Sequence, residues 1–371
     1  MRSASRWIRF TRYCFYMIPS KCVLVFGLPR QYQKHAVPKG SASTSVLLIL
    51  SSPLSSASSS ASSSAVTVSI DGRGDYTTIG QAIAEAPSNS DAKYTILVRP
   101  GIYEERLHIP RDKTNILLIG NGRHDTVILG HHNGGMLSQT ATVAIQRAGF
   151  VGQGIAFVNS AGPKAGPCLA LLNTADRSVL HNCSIEGFQD TLWASSGRQF
   201  YRECDIYGSV DFVMGNTAAV FQNCVLYTRL AGFSVFTAQS RDDPLERTGF
   251  VFQYCRFTAS TEDSGKQLSG AGRAILGRPW RAYSRVVIMR AYIDDIVSPM
   301  GWGEMEGTPT DKASYIEFEN EGSRSSTRGR VRWVGVVEVP DADQVREFTV
   351  SRFIKGDAWI PQTGVPYIGG L

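Results

Sequence analysis

"HNCSIEGFQD", residues 181–190, and "RECDIYGSVD", residues 202–211, are two copies of one pattern. Written one above the other they align Cys183 with Cys204, Ile185 with Ile206, Gly187 with Gly208 and Asp190 with Asp211, at a constant offset of 21. A third copy, "QNCVLYTRL" from Gln222, brings Cys224 into line 20 residues later, and "QYCRF" from Gln253 brings in Cys255 after a longer insertion. Self-similarity at about 20 residues, built from short alternating apolar strands, is the mark of a solenoid in which each coil gives one strand to each sheet. The expected fold is all-β, a parallel β-helix.

The composition agrees with that reading. The chain has 371 residues, is 43% hydrophobic and 19% charged, and contains 36 glycines. It can bury a large core, and glycine, valine, isoleucine and aromatic residues dominate where long helical stripes would otherwise stand. A formal net charge of +6 without basic runs beyond the extreme N-terminus argues against nucleic acid as a partner and is compatible with a polyanionic carbohydrate.

Residues 1–65 read differently: a basic, aromatic start, a short apolar run at Ser45 to Leu50, then a Ser/Ala tract. No run reaches the roughly 18 apolar residues of a membrane span. A secretory signal, an organellar transit peptide and a misassigned start codon all remain open on this segment alone. From Val66 to Leu371 the chain is continuous and reads as one domain.

Stacked coils lie about 4.8 Å apart, so Cys183, Cys204 and Cys224 form an inward ladder. A disulfide wants Cβ atoms nearer 3.8 Å, and free buried thiols are expected. The seven cysteines and six histidines, among them His131 and His132, show no zinc-like spacing; no metal and no cofactor are expected. In the same register Asp190 and Asp211 face each other at about 5 Å. Either they are ordinary solvated turn residues, or they form a functional pair in which one pKa rises and the other falls. "GFQDTLW" sets Phe188, Gln189 and Trp193 beside the first acid, and "LGRPWRAYSR" supplies Arg278 and Trp280, a guanidinium for a carboxylate and a flat ring for a sugar face. The sequon at Asn182 falls in the repeated strand and is read as an unmodified ladder asparagine.

"GIYEERL" (Gly101 to Leu107), "GFQDTLW", "GSVDFVMGN" (Gly208 to Asn216) and "LGRPW" (Leu276 to Trp280) together resemble the ordered signature motifs of plant-type pectin methylesterases. "DGRGDYTTIGQAIAEAP", "GRQFYRECDIYG", "AYIDDIVSPMGW" and "FIKGDAWIPQTGVPY" extend the resemblance over nearly all of residues 66–371, in a short form without the N-terminal inhibitor-like region. The resemblance implies a right-handed parallel β-helix that hydrolyses the C6 methyl esters of homogalacturonan in the cell wall. It implies secretion, with cleavage in the Ser/Ala tract, a monomer, and a proteinaceous inhibitor as a possible partner. By motif, Asp211 is the implied nucleophile, Asp190 the general acid and then base, Gln189 the oxyanion donor and Arg278 the group that holds Asp211 ionised. Trp193, Trp280 and Trp302 are implied to line the groove, each with an ordinary packed aromatic as its alternative.

Several positions depart from the family pattern. Pro167 stands where a second oxyanion glutamine is usual, Met214 and Met305 replace common aromatics, and the usual threonine pair is missing from "GGMLSQTATV". Two other functions stay open. Carboxylates about 5 Å apart also suit a retaining glycosidase, and the Pro167 departure suits a wall-binding β-helix with weakened activity. A calcium-dependent lyase lacks its acid cluster, and a serine esterase lacks its GxSxG elbow.

Overall fold

The computed structural model describes residues 64–229, 232–261, 272–337 and 341–371. The apolar run and nearly all of the Ser/Ala tract read above as a leader lie outside the described residues. The first strand, Ser64–Val68, begins just ahead of the boundary drawn at Val66.

Among the described residues, strands stack into three parallel sheets of 11, 8 and 7 strands. Each coil visits them in turn, as in Ser178–His181, Ser184–Glu186 and Leu192–Ala194 of one coil and Arg198–Arg202, Asp205–Gly208 and Val213–Gly215 of the next. The register follows the sequence repeat: Ile185 pairs with Ile206, and Ile206 with Leu226. This is a parallel β-helix.

Six successive coils close their first corner with a non-glycine residue of positive φ: Asn182, Glu203, Asn223, Tyr254, Arg290 and Glu319 have φ between 48° and 56°. Left-handed backbone costs an L-residue about 1–2 kcal/mol, yet here it rotates the next residue inward. Cys183, Cys204, Cys224 and Cys255 accordingly point into the core, each at most 1% exposed and each a free thiol. The thiols are not left unpaired, because Cys204, Cys224 and Cys255 donate to the carbonyls of Leu180, Tyr201 and Phe221 in the coil before. Asn182 is therefore an exposed corner residue and not part of a core strand as expected. Its amide oxygen accepts from Arg123 Nη1 at 3.1 Å.

Inward aromatic residues stack at the same pitch. The rings of Tyr201, Phe221 and Phe252 succeed one another at centroid distances of 4.5 and 4.7 Å. Burying each such ring contributes roughly 1.5–3 kcal/mol. The helix Ile79–Glu85 covers the N-terminal end with Ile79, Ala82 and Ile83 buried. The "GIYEERL" motif anchors this helix, because both oxygens of Glu105 accept its first N–H groups, from Ile79 and Gly80, at 2.8 Å each. At the other end the helices Ala342–Arg346 and Val350–Phe353 lie on the outside of the 11-stranded sheet, where Val345, Val350, Ile354 and Ile360 cover Val179, Phe200, Val220 and Val251. The glutamine that precedes the repeated cysteine anchors this tail: Gln222 bonds the backbone of Ile368 in both directions, at 3.0 and 2.9 Å, and Gln253 donates to Gly370 at 2.8 Å. No helix among the described residues is long and apolar enough to cross a membrane.

Gly208 shows how tightly one coil sits on the next. A Cβ there would fall 2.1 Å from Phe212 Cβ and 2.9 Å from the Phe188 carbonyl oxygen. Gly208→Ala is expected to destabilise the fold by about 1–3 kcal/mol or more through overpacking, whereas Gly232→Ala, at a site with open space, should cost under about 0.5 kcal/mol. Denaturation midpoints of the two variants check this; equal midpoints would contradict the packing described.

Candidate active site

Along the seven-stranded sheet one row of residues runs outward in register: His108, Ala144, Leu172, Trp193, Met214, Ala238 and Arg278. Asp190 and Asp211 sit in the turns that lead into the strands Leu192–Ala194 and Val213–Gly215. Pairing continues through these turns, since Ser209 N–H donates to the Phe188 carbonyl, Asp190 N–H to Val210 and Leu192 N–H to Phe212, at 2.8, 3.0 and 2.9 Å. The two aspartates are thus neighbours on adjacent coils, as the repeat predicts. Both adopt left-handed backbone, with φ of 58° and 53°, a conformation that aspartate tolerates better than most residues.

Arg278 reaches Asp211 from two strands farther on, over the small Ala238. Its Nε donates to Oδ1 at 2.9 Å and its Nη2 to Oδ2 at 2.6 Å, a two-pronged pair. Asp190 lies beside this pair. Burial, with the Asp211 charge next to it, pushes the Asp190 carboxyl up to about 7 against the pull of Arg278. The expectation that the partner's pKa falls is corrected. Burial raises Asp211 as well, and the hydrogen-bonded Arg278 only offsets part of that rise. The pair is nevertheless unequal, because the guanidinium fork grips Asp211 alone.

Gln189 precedes Asp190 at the groove, half-buried. Its neighbour on the preceding coil is Pro167, in a direct parallel bridge and exposed. Gln189 therefore has a ring without a donor beside it on that side. Next to Pro167, Cys168 N–H donates to the Gln189 carbonyl at 3.1 Å, which places buried Cys168 alongside Asp190. Burial and the Asp190 charge push its thiol pKa up. The sequence repeat does not reveal this neighbour: Leu171 pairs with Leu192 at an offset of 21, but Pro167 with Gln189 at 22. The extra residue is taken up where Ala170 and Leu171 both donate to the Thr191 carbonyl.

Trp193 and Trp280 are partly exposed and meet at the groove with centroids 6.4 Å apart and planes inclined by 59°. Gly215 makes room for the first: a Cβ there would come within 2.8 Å of Trp193 Cδ1 and 2.1 Å of the Ala194 carbonyl oxygen. Trp302 does not join them. It is 0% exposed, stacks on Tyr315 at 4.2 Å, and donates Nε1 to Glu317 at 3.1 Å. The cause is register: Trp302 bridges Gly277, not Arg278, and successive strand positions face opposite sides. Met214 lies beside Trp193 in the row and is 3% exposed. Beyond Leu172 the same face opens into a cleft of about 440 Å³ lined by Arg106, His108, Ser138, Ala144 and Gln146. Among the described residues no three His, Cys, Asp or Glu side chains gather as a metal site would require.

A carboxyl raised to about 7 binds its proton more tightly folded than unfolded, so it lowers stability as pH climbs from about 4 to about 7 and leaves a constant deficit above that. Asp190→Asn removes the penalty. The gain is expected to be small at pH 4 and to reach about 1–3 kcal/mol at pH 8, below the ~4 kcal/mol that the full displacement would give. Denaturant unfolding at the two pH values measures it, and a gain independent of pH would contradict the environment assigned to Asp190.

Comparison with known proteins gives a consistent result. The family model described as Pectinesterase matches residues 65–357. The chain is 42% identical over 316 residues to probable pectinesterase/pectinesterase inhibitor 41 of Arabidopsis thaliana, and 43% identical over 311 residues to putative pectinesterase/pectinesterase inhibitor 22 of the same plant. Each match takes in 82% of this chain and 55% of the relative, so the chain spans about half the length of the curated relatives it matches. Among solved structures, pectin methylesterase from carrot superposes with a TM-score of 0.80 at 37% identity, covering 85% of this chain and 100% of that one. The Aspergillus niger pectin methylesterase does so with a TM-score of 0.69 at 29% identity, covering 81% and 97%. Four ordered motifs, the parallel β-helix and the match over residues 65–357 place this chain in the pectinesterase family.

Proposed function

We propose that this chain hydrolyses the methyl esters of pectin, giving methanol and free carboxylate, and that it acts as a secreted monomer on the cell wall. The observation that carries the reading is the Asp211 carboxylate held two-pronged by Arg278, with a second carboxyl raised to about 7 beside it, on an open face flanked by Trp193 and Trp280. The carrot and Aspergillus niger neighbours, both pectin methylesterases, support the same substrate.

In this mechanism Asp211 attacks the ester carbonyl. The fork of Arg278 keeps a carboxylate available despite burial and aims it. Charge that develops on the carbonyl oxygen is met by the Gln189 amide. Collapse of the tetrahedral intermediate expels methoxide, which takes the proton of Asp190 and leaves as methanol, and the substrate acyl group remains on Asp211 as an anhydride. Asp190, now ionised, draws a proton from water as that water attacks the anhydride carbonyl. Collapse returns Asp211 as a carboxylate, Asp190 in its protonated form and the product as a galacturonic acid, which loses its remaining proton to solvent and becomes the free carboxylate. The two aspartates thus need opposite protonation at the start, and their unequal environments favour that state. Trp193 and Trp280 offer faces to sugar rings, and the cleft lined by Arg106 and His108 extends the path for a polymer. Trp302 has no part in binding. A proteinaceous inhibitor that covers this groove is part of the same reading.

A weakened pectin binder is the second reading, favoured by Pro167 beside Gln189. Methanol release from pectin by the purified protein separates the two, and release without new reducing ends excludes a glycosidase. Asp211→Ala is expected to lower release by three orders of magnitude or more with the fold retained. Substantial activity in a folded variant would overturn the mechanism.

Pro167 offers a finer test. It is exposed, and the ladder bond to Gln189 is made by Cys168 N–H, so Pro167→Gln leaves the pairing intact. An oxyanion donor is worth at most roughly 3 kcal/mol, and a backbone adapted to proline reduces this. The expected gain is about tenfold in kcat with KM little moved, read by steady-state methanol release. A folded variant that is no faster would show the oxyanion to be already satisfied.

A further inference from the structure

The turn that carries Gln189 and Asp190 rests on a buried arginine that the mechanism above does not use. Arg229 is 3% exposed. Its Nη1 donates to the Gly187 carbonyl at 3.1 Å, and its Nη2 lies 3.6 Å from Oε2 of fully buried Glu186. The guanidinium also sits 5.2 Å from the Phe188 ring centre and 5.3 Å from that of Tyr207. Glu186 is held in turn by the Ser184 hydroxyl at 2.7 Å. The backbone of Arg229 is tied to the other acid's turn, where its N–H donates to the Gly208 carbonyl at 2.7 Å. One residue therefore grips Gly187 and Phe188, which open the Asp190 turn, and Gly208, which opens the Asp211 turn.

A buried ion pair is weak grounds for stability, since well-packed neutral groups of similar volume do as well or better. What apolar groups cannot do is hold a backbone carbonyl while lying against two aromatic rings, the geometry that a flat guanidinium provides. We propose that Arg229 is a positioning residue: it fixes the Gly187–Asp190 turn, and through it the Gln189 amide and the Asp190 carboxyl, relative to Asp211. The kinetic side of this inference rests on the esterase reading, whereas the structural side does not.

The test uses the double variant Glu186→Gln/Arg229→Met, which removes both buried charges together, beside Arg229→Met alone. The single variant is expected to lose much of its thermal stability or fail to fold, because Glu186 loses its guanidinium. The double variant should melt within a few degrees of wild type. It should nonetheless show kcat lower by about 100-fold with KM little changed, the cost of a misplacement near 1 Å. Its Gly187, Asp190 and Ser209 amides should exchange hydrogen at least tenfold faster. A folded double variant with wild-type exchange at these amides overturns the proposal whatever its rate, and so does faster exchange with unchanged kcat. If the wild-type protein releases no methanol, the esterase reading fails, and the exchange rates still decide whether Arg229 clamps the turn.

Discussion

Successive coils pair in parallel register at one strand spacing, and the candidate chemistry depends on that constraint more than on any single contact. It converts a separation of 21 residues into neighbouring side chains, as in the pairing of Leu192 with Val213 that brings Asp190 beside Asp211. It also sets limits. Two carboxylates brought this close repel, and both occupy strained left-handed backbone. The coils beneath must over-determine the turns for such a site to persist. The stacked rings of Tyr201, Phe221 and Phe252, the inward thiols and the near absence of free space at Gly208 supply that determination.

Proximity alone would leave two similar acids. The difference between them comes from direction. Arg278 presents both of its prongs to Asp211 and none to Asp190, so the same burial acts on two carboxyls with different compensation. That burial raises both is the more informative result, because it shows desolvation to be the larger force at this site and the arginine to be a partial remedy. The proposed roles of Asp211 as nucleophile and Asp190 as proton donor rest on this inequality between two acids in one small region.

What is legible in the sequence follows from what the repeat encodes. The constant offset among Cys183, Cys204, Asp190 and Asp211 gives coil length and register directly, so the fold and the facing acids can be read from it. The placing of Pro167 beside Gln189 comes from the resemblance and not from spacing, since a one-residue slip before Leu171 breaks the repeat there. Trp302 does not line the groove as expected, because motif membership says nothing about which side of a strand a residue faces. Its bridge to Gly277 turns it inward, where Gly277 has no side chain to compete for space. Asn182 departs from expectation for a related reason: a corner and a strand look alike in sequence when the corner's left-handed residue is not glycine. Arg229 carries no signal, as its partners Gly187 and Phe188 lie 42 and 41 positions earlier and two coils away.

A solenoid's stability is mostly a sum of contacts between adjacent coils, and most of the bonds described here are of that kind. Arginines supply several of the longer links. Arg278 passes over Ala238 to reach Asp211, and Arg229 connects the two acid-bearing turns. Arg123 does the same at the corner, where it donates to Asn182 and to the Glu203 carbonyl of the following coil. Only a long side chain ending in several fixed donors can bridge coils without disturbing the strand between them. The ladders therefore set where each candidate group lies along the helix, and the arginines set how those groups are turned toward one another. Changes to a single exposed rung, such as proline beside Gln189, can alter the groove while both systems remain intact.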